Sequence, residues 1–89
     1  MSLHVVHLEV IPTNDDRRLL RLSFSNGVSG VVDLAAELDG PVFGPLYQRG
    51  RFSEAALHPL FRTVSWPNGA DLAPEFLLDL LKRQQGHAA

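Results

Sequence analysis

The chain has 89 residues, 45% of them hydrophobic, and a formal net charge of -2. That composition excludes a disordered chain and a broadly basic, phosphate-neutralising surface. With no cysteine, disulfides, thiolate zinc sites and a cysteine nucleophile are excluded as well.

The apolar runs fall far short of the roughly 20 residues that span a bilayer. The first residues, Met1-Ser2-Leu3-His4, lack the charged start and long apolar stretch of a signal peptide. The expectation is one cytoplasmic domain over residues 1–89, with an ordered core from about residue 3 to 85.

Residues 3–11 read as a strand, with Val6, Leu8 and Val10 alternating against His7 and Glu9. Pro12 ends it, and Thr13-Asn14-Asp15-Asp16 makes a polar turn. Residues 19–25 form the clearest strand, with Leu20, Leu22 and Phe24 on one face. The Asn26-Gly27 turn fixes the register of the next strand, 28–34. A two-residue loop sets Leu20 beside Asp33 and mixes the faces. A three-residue loop with Gly27 left-handed pairs Phe24 with Val28 and Leu20 with Val32, and keeps one apolar face. The second register is the prediction.

Asp33 is expected to cap a short turn through Leu34–Leu38. Two Gly-Pro steps, Gly40-Pro41 and Gly44-Pro45, break the middle, each proline pushing its glycine out of the helical region. Pro45 opens a single turn carrying Leu46 and Tyr47. Ser53 reads as the N-cap of a short helical piece over Glu54–Leu57. Residues 61–66 read as a fourth strand with Val64 and Trp66 on one face, followed by a Pro67-Asn68-Gly69 turn. The last helix starts at Pro74, complements its dipole with Glu75 and Lys82-Arg83, and stops at Gly86 before a frayed tail, His87-Ala88-Ala89. The fold class is therefore α+β: a three- to four-stranded, mostly antiparallel sheet packed by one C-terminal helix, with short helical turns between strands.

The block Thr63-Val64-Ser65-Trp66-Pro67-Asn68-Gly69-Ala70-Asp71-Leu72-Ala73-Pro74-Glu75, taken with Leu20 to Gly27 and Gly30 to Leu34, resembles a small prokaryotic family, domain of unknown function 2442. The resemblance implies an α+β fold with a mostly antiparallel sheet, and no established catalytic residues or cofactor. Some members carry an appended helix-turn-helix, which is not expected within residues 1–89, so direct DNA reading is not expected of them. Others look like partners of a second small protein, similar to toxin–antitoxin pairs.

Turn chemistry accounts for most of Trp66 to Glu75, with Trp66 in the core, Gly69 at positive φ and Asp71 bonding free amides before the helix. The functional reading makes Trp66, Asn68 and Asp71 an exposed recognition surface. No nucleophile–base pair accompanies Asp71 and Glu75, so no catalytic residue is expected. His4 and His7, three apart on a strand, point to opposite faces, so no metal site and no cofactor is expected. Arg49, Arg51 and Arg62 form a loose basic patch through which a dimer would meet nucleic acid, the alternative to a small protein partner or homodimer.

Around the last helix, Phe76, Leu80, Leu77, Leu81 and Leu78 cover an arc of about 200°, where a single packed face needs little more than about 100°. The surplus makes Leu78 a candidate partner contact. Leu78→Glu is expected to leave the fold intact and abolish self- or partner association, read by circular dichroism beside size-exclusion chromatography. A variant that unfolds outright places Leu78 in the core.

Overall fold

The computed structural model describes residues 3–86. Strands β1 (Val5–Ile11), β2 (Leu19–Phe24) and β3 (Ser29–Asp33) form an antiparallel sheet in the order β1-β2-β3. The inward residues of β2, namely Leu20, Leu22 and Phe24, are buried together with Val32 of β3. The expected register holds. Leu20 pairs with Val32, and the Phe24 N–H donates to the Val28 carbonyl at 2.8 Å. Gly27 sits at φ +91°, where a side chain would be strained.

The first strand departs from its alternation. A bulge falls between Val5 and His7, and one extra residue shifts the phase of a strand. Val5 therefore turns into the core at 2% exposure, while Val6, expected on the apolar face, stands 56% exposed. Leu8 and Val10 pack partly against the core, and His7 faces solvent as expected.

Asp33 caps the following turn as expected, its Oδ1 accepting from the Ala35 N–H at 2.9 Å and the Arg18 N–H at 3.0 Å. A 3-10 turn runs over Ala35–Glu37. A single helical turn α1 (Gly40–Phe43) leads into a 3-10 turn over Gly44–Tyr47, which buries Leu46. Gly40 takes φ +82° ahead of its proline, but Gly44 stays helical at φ -53° and ψ -46°. The clash that bars helix before proline involves the preceding Cβ, and glycine has none.

The expected helical piece at Glu54–Leu57 is not there. A turn of helix, α2 (Arg49–Phe52), precedes it, and Ser53 is its C-cap. The Ser53 hydroxyl donates backward to the Gly50 carbonyl at 3.0 Å, so it caps nothing ahead of it. Ala56–Leu57 instead forms strand β4, which pairs with β5 (Val64–Ser65), and β5 pairs with β6 (Asp71–Leu72) in a second antiparallel sheet. The expected fourth strand is thus only two residues long and lies outside the first sheet.

Helix α3 (Pro74–Gly86) buries Leu77, Leu80 and Leu81 against β3, with Phe76 and Leu78 partly buried beside them. Its approach is close. A Cβ on Gly30 would lie 2.8 Å from Gln85 Nε2 and 3.0 Å from Leu81 Cδ1. The Gln84 carboxamide reaches β3 from the same helix. Its Oε1 accepts from the Asp33 N–H at 2.9 Å, and its Nε2 donates to the Asp33 carbonyl at 2.8 Å. The Cα radius of gyration is 12.4 Å.

Gly30→Val forces the helix off the sheet or the strand out of line. Overpacking of this kind costs about 1–3 kcal/mol. Urea denaturation is expected to show the loss as a lowered midpoint; an unchanged midpoint would mean that α3 can move away freely.

Candidate functional site

The residues singled out around the second sheet lie apart in kind as well as in place. Trp66 is buried at 4% exposure. Its indole Nε1–H donates to the Phe52 carbonyl at 3.1 Å, and its ring lies 6.0 Å from that of Phe52. It supports the surface from beneath rather than standing on it. Asn68 is exposed but already used: Oδ1 accepts from the Ala70 N–H and Nδ2 donates to the Val42 carbonyl, both at 3.0 Å. Asp71 is exposed on β6, where it pairs with Ser65 across the β5–β6 ladder, three residues before the first residue of α3. Leu78 packs partly against the core, which uses part of the surplus helix arc.

Of the three arginines of the expected patch, Arg49 and Arg51 share α2, while Arg62 is anchored elsewhere. The Arg62 carbonyl holds the Val5 N–H at 2.9 Å, at the start of β1. Arg49 donates to the Asp15 carbonyl at 2.6 Å, just past the end of β1. The length of that strand, about 20 Å at 3.3 Å per residue, separates the two anchor points. Among the described residues, no group of three or more His, Asp or Glu side chains converges to hold a metal ion. No described helix is long and apolar enough to cross a membrane.

Two features stand out instead. The first is the loop from His58 to Arg62, between β4 and β5. Leu60 is 80% and Phe61 62% exposed. The loop is nevertheless tightly held. His58 Nδ1 accepts from the N–H groups of both Leu60 and Phe61 at 3.1 Å. The His58 N–H donates to the Thr63 carbonyl at 2.8 Å, and the Arg62 N–H donates back to the His58 carbonyl at 2.9 Å. The His58 and Phe61 rings stack at 4.4 Å. Arg62 closes the loop at φ +52°, a strained conformation for a long side chain. Leu57, 37% exposed on β4, and Val6 border this tip, the latter following Val5, whose N–H is tied to Arg62.

The second feature lies at the other end of β1. A cleft of about 430 Å³ opens between the end of β1, the start of β2 and α2. Apolar walls come from Val10, Leu19 and Phe52, and three arginines, Arg17, Arg18 and Arg49, line it too. Arg18 is buried at 6% exposure. It donates through Nε to the Tyr47 carbonyl at 2.7 Å, and through Nη1 to the Asp15 and Arg17 carbonyls at 3.1 and 2.9 Å. Its guanidinium lies 4.3 Å over the Tyr47 ring. Arg17 pairs with Asp15 at 3.0 Å. That hydrogen bond, joined by the charges of Arg17 and Arg49, holds the Asp15 carboxyl below its ordinary value.

The family model described as "Protein of unknown function (DUF2442)" matches residues 9–83. The chain belongs to this family. No curated protein and no solved structure matches it. The DUF2442 segment takes in the apolar tip and the whole cleft, while Val5 and Val6 precede it.

Neither feature is legible in the sequence. Phe61 passes for the start of a strand, although Pro59 just before it removes a ladder donor and is the one local sign of a loop. Nothing local marks Arg18, whose Tyr47 partner lies 29 residues away. His58→Ala removes the acceptor of two loop amides at once. We expect a stability loss of about 1–2 kcal/mol and faster hydrogen exchange at Leu60 and Phe61. Exchange that stays as slow as in the parent protein would mean that the clasp does not hold the tip.

Proposed function

We propose that this DUF2442 protein is a non-catalytic protein–protein interaction module, adaptor-like or antitoxin-like, that meets its partner through the apolar tip at Leu57, Leu60 and Phe61. The observation that carries the reading is the exposure of Leu60 and Phe61, 80% and 62%, on a loop whose backbone is pinned by His58. Exposed apolar clusters mark interaction sites. Burying one such side chain yields about 1.5–3 kcal/mol, and a loop already held in place loses little entropy on binding. The tip projects, so it suits a partner that offers an apolar groove. Arg62 beside it favours an acidic rim on that groove. A dimeric nucleic-acid regulator built on Arg49, Arg51 and Arg62 draws less support, because Arg49 and Arg62 are anchored at opposite ends of β1.

The test compares the parent protein with the double variant Leu60→Asp, Phe61→Ser. Both substitutions fall on exposed side chains, so circular dichroism is expected to be unchanged and the thermal midpoint to fall only by the loss of the His58–Phe61 stack. In high-salt pull-downs from the native cell, a stoichiometric partner held by the parent and lost by the variant supports the reading. A partner held equally by both overturns the role of the tip.

A further inference from the structure

We infer that the cleft at the end of β1 is a binding site for a carboxylate carried on an apolar body. The inference rests on the accounting of one side chain. A guanidinium has five N–H donors. Those of Arg18 on Nε and Nη1 are taken by the carbonyls of Tyr47, Asp15 and Arg17, which leaves the two on Nη2. Among the described residues no sealed side-chain nitrogen lacks a hydrogen-bond partner, so Nη2 meets solvent, and Arg18 lines the cleft.

The guanidinium also makes no ion pair: those among the described residues involve Arg17, Arg21 and Arg83, and the Asp33 carboxylate meets the Arg18 backbone N–H. A cation that is nearly buried without a counter-ion is costly, and an anion arriving in the cleft relieves that cost. Fastening carbonyls and a Tyr47 ring explain why Arg18 is held rigidly. They leave the two Nη2 donors without a protein acceptor in a residue that lines the cleft.

The rest of the cleft narrows the ligand class. Its volume of about 430 Å³ falls in the range of roughly 300–1,000 Å³ usual for small-ligand sites. Val10, Leu19 and Phe52 give it apolar walls, which a small inorganic anion leaves empty. Arg49 supplies a second set of donors at the rim. The Asp15-Asp16 turn beside it repels a dianion more than a monoanion. A carboxylate next to an apolar chain or side chain satisfies each of these conditions. A free acyl acid and the C-terminal end of a peptide present that same chemistry.

The test is a titration of the whole 15N-labelled protein, followed by amide shifts, with octanoate, 1-octanol, octyl phosphate and N-acetyl-leucine as probes. Saturable octanoate shifts at Val10, Leu19 and Phe52 are expected, with octanol weaker by about tenfold, the size of one charge-assisted contact. Arg49→Gln, at an exposed residue, is expected to weaken octanoate several-fold while leaving distant amides in place. Tighter N-acetyl-leucine binding would identify a peptide end, and tighter octanoate binding an acyl acid; either supports the site. Absence of saturable shifts at millimolar octanoate overturns it, as does equal binding of octanol or tighter binding of octyl phosphate. The Leu60→Asp, Phe61→Ser variant is expected to bind octanoate as the parent does, so failure here and failure of the partner reading are separable.

Discussion

The contact between α3 and the bare backbone of Gly30 sets the terms for the rest of the molecule. A chain of 89 residues buries a smaller fraction of its surface than larger domains do, so its few core leucines must pack tightly. Leu77 and Leu81 are fully buried because nothing at position 30 holds the helix away. With the helix seated there, Leu20, Leu22 and Val32 are sealed beneath it. The same seating brings Gln84 to Asp33, and Asp33 in turn fixes Arg18 and the turn after β3. One close approach thus couples the core to the wall of the cleft.

The two Asn-Gly turns are the same device used twice. In each, the glycine sits at φ near +90°, +91° at Gly27 and +89° at Gly69. In each, its N–H donates at 3.0 Å to the residue three places back, Phe24 or Trp66. In each, the asparagine Oδ1 accepts from the residue two places on, Val28 or Ala70. Both turns therefore deliver a buried aromatic residue at a fixed phase, Phe24 to the first sheet and Trp66 to the second. Trp66 then reaches Phe52, so the second turn also positions α2 and one wall of the cleft.

What the sequence made legible was what is local. The β2–β3 hairpin followed completely from a period of two and the left-handed tolerance of Gly27, since both are written within a dozen residues. The extent of α3 was legible for the same reason, with Pro74 at its start and Gly86 at its end. The bulge at Val6 was not, because an inserted residue changes phase without changing composition. Helix α2 was not, because Arg49-Gly50-Arg51 carries no apolar period and its N-cap, Gln48, makes no capping bond. Trp66 lies in the core, as turn chemistry predicts, so of the three residues of the alternative recognition surface Asn68 and Asp71 are the exposed ones. The apolar tip and the cleft depend on contacts between distant segments, Val5 with Arg62 and Arg18 with Tyr47, which no window of sequence displays.

The pairing of Gln84 with Asp33 has a consequence for how this protein behaves in a crowded solution. By the alternation of an antiparallel ladder, the outward amide groups of β3 belong to Ser29, Val31 and Asp33. An unpaired sheet border is a template on which other chains can stack into fibrils. A carboxamide that both accepts from and donates to Asp33 imitates the next strand at that position and stops the ladder there. On this border only Ser29 and Val31 are left for a stranger to grip, a stretch too short to seed growth, so the last turns of α3 guard the β3 side of the sheet.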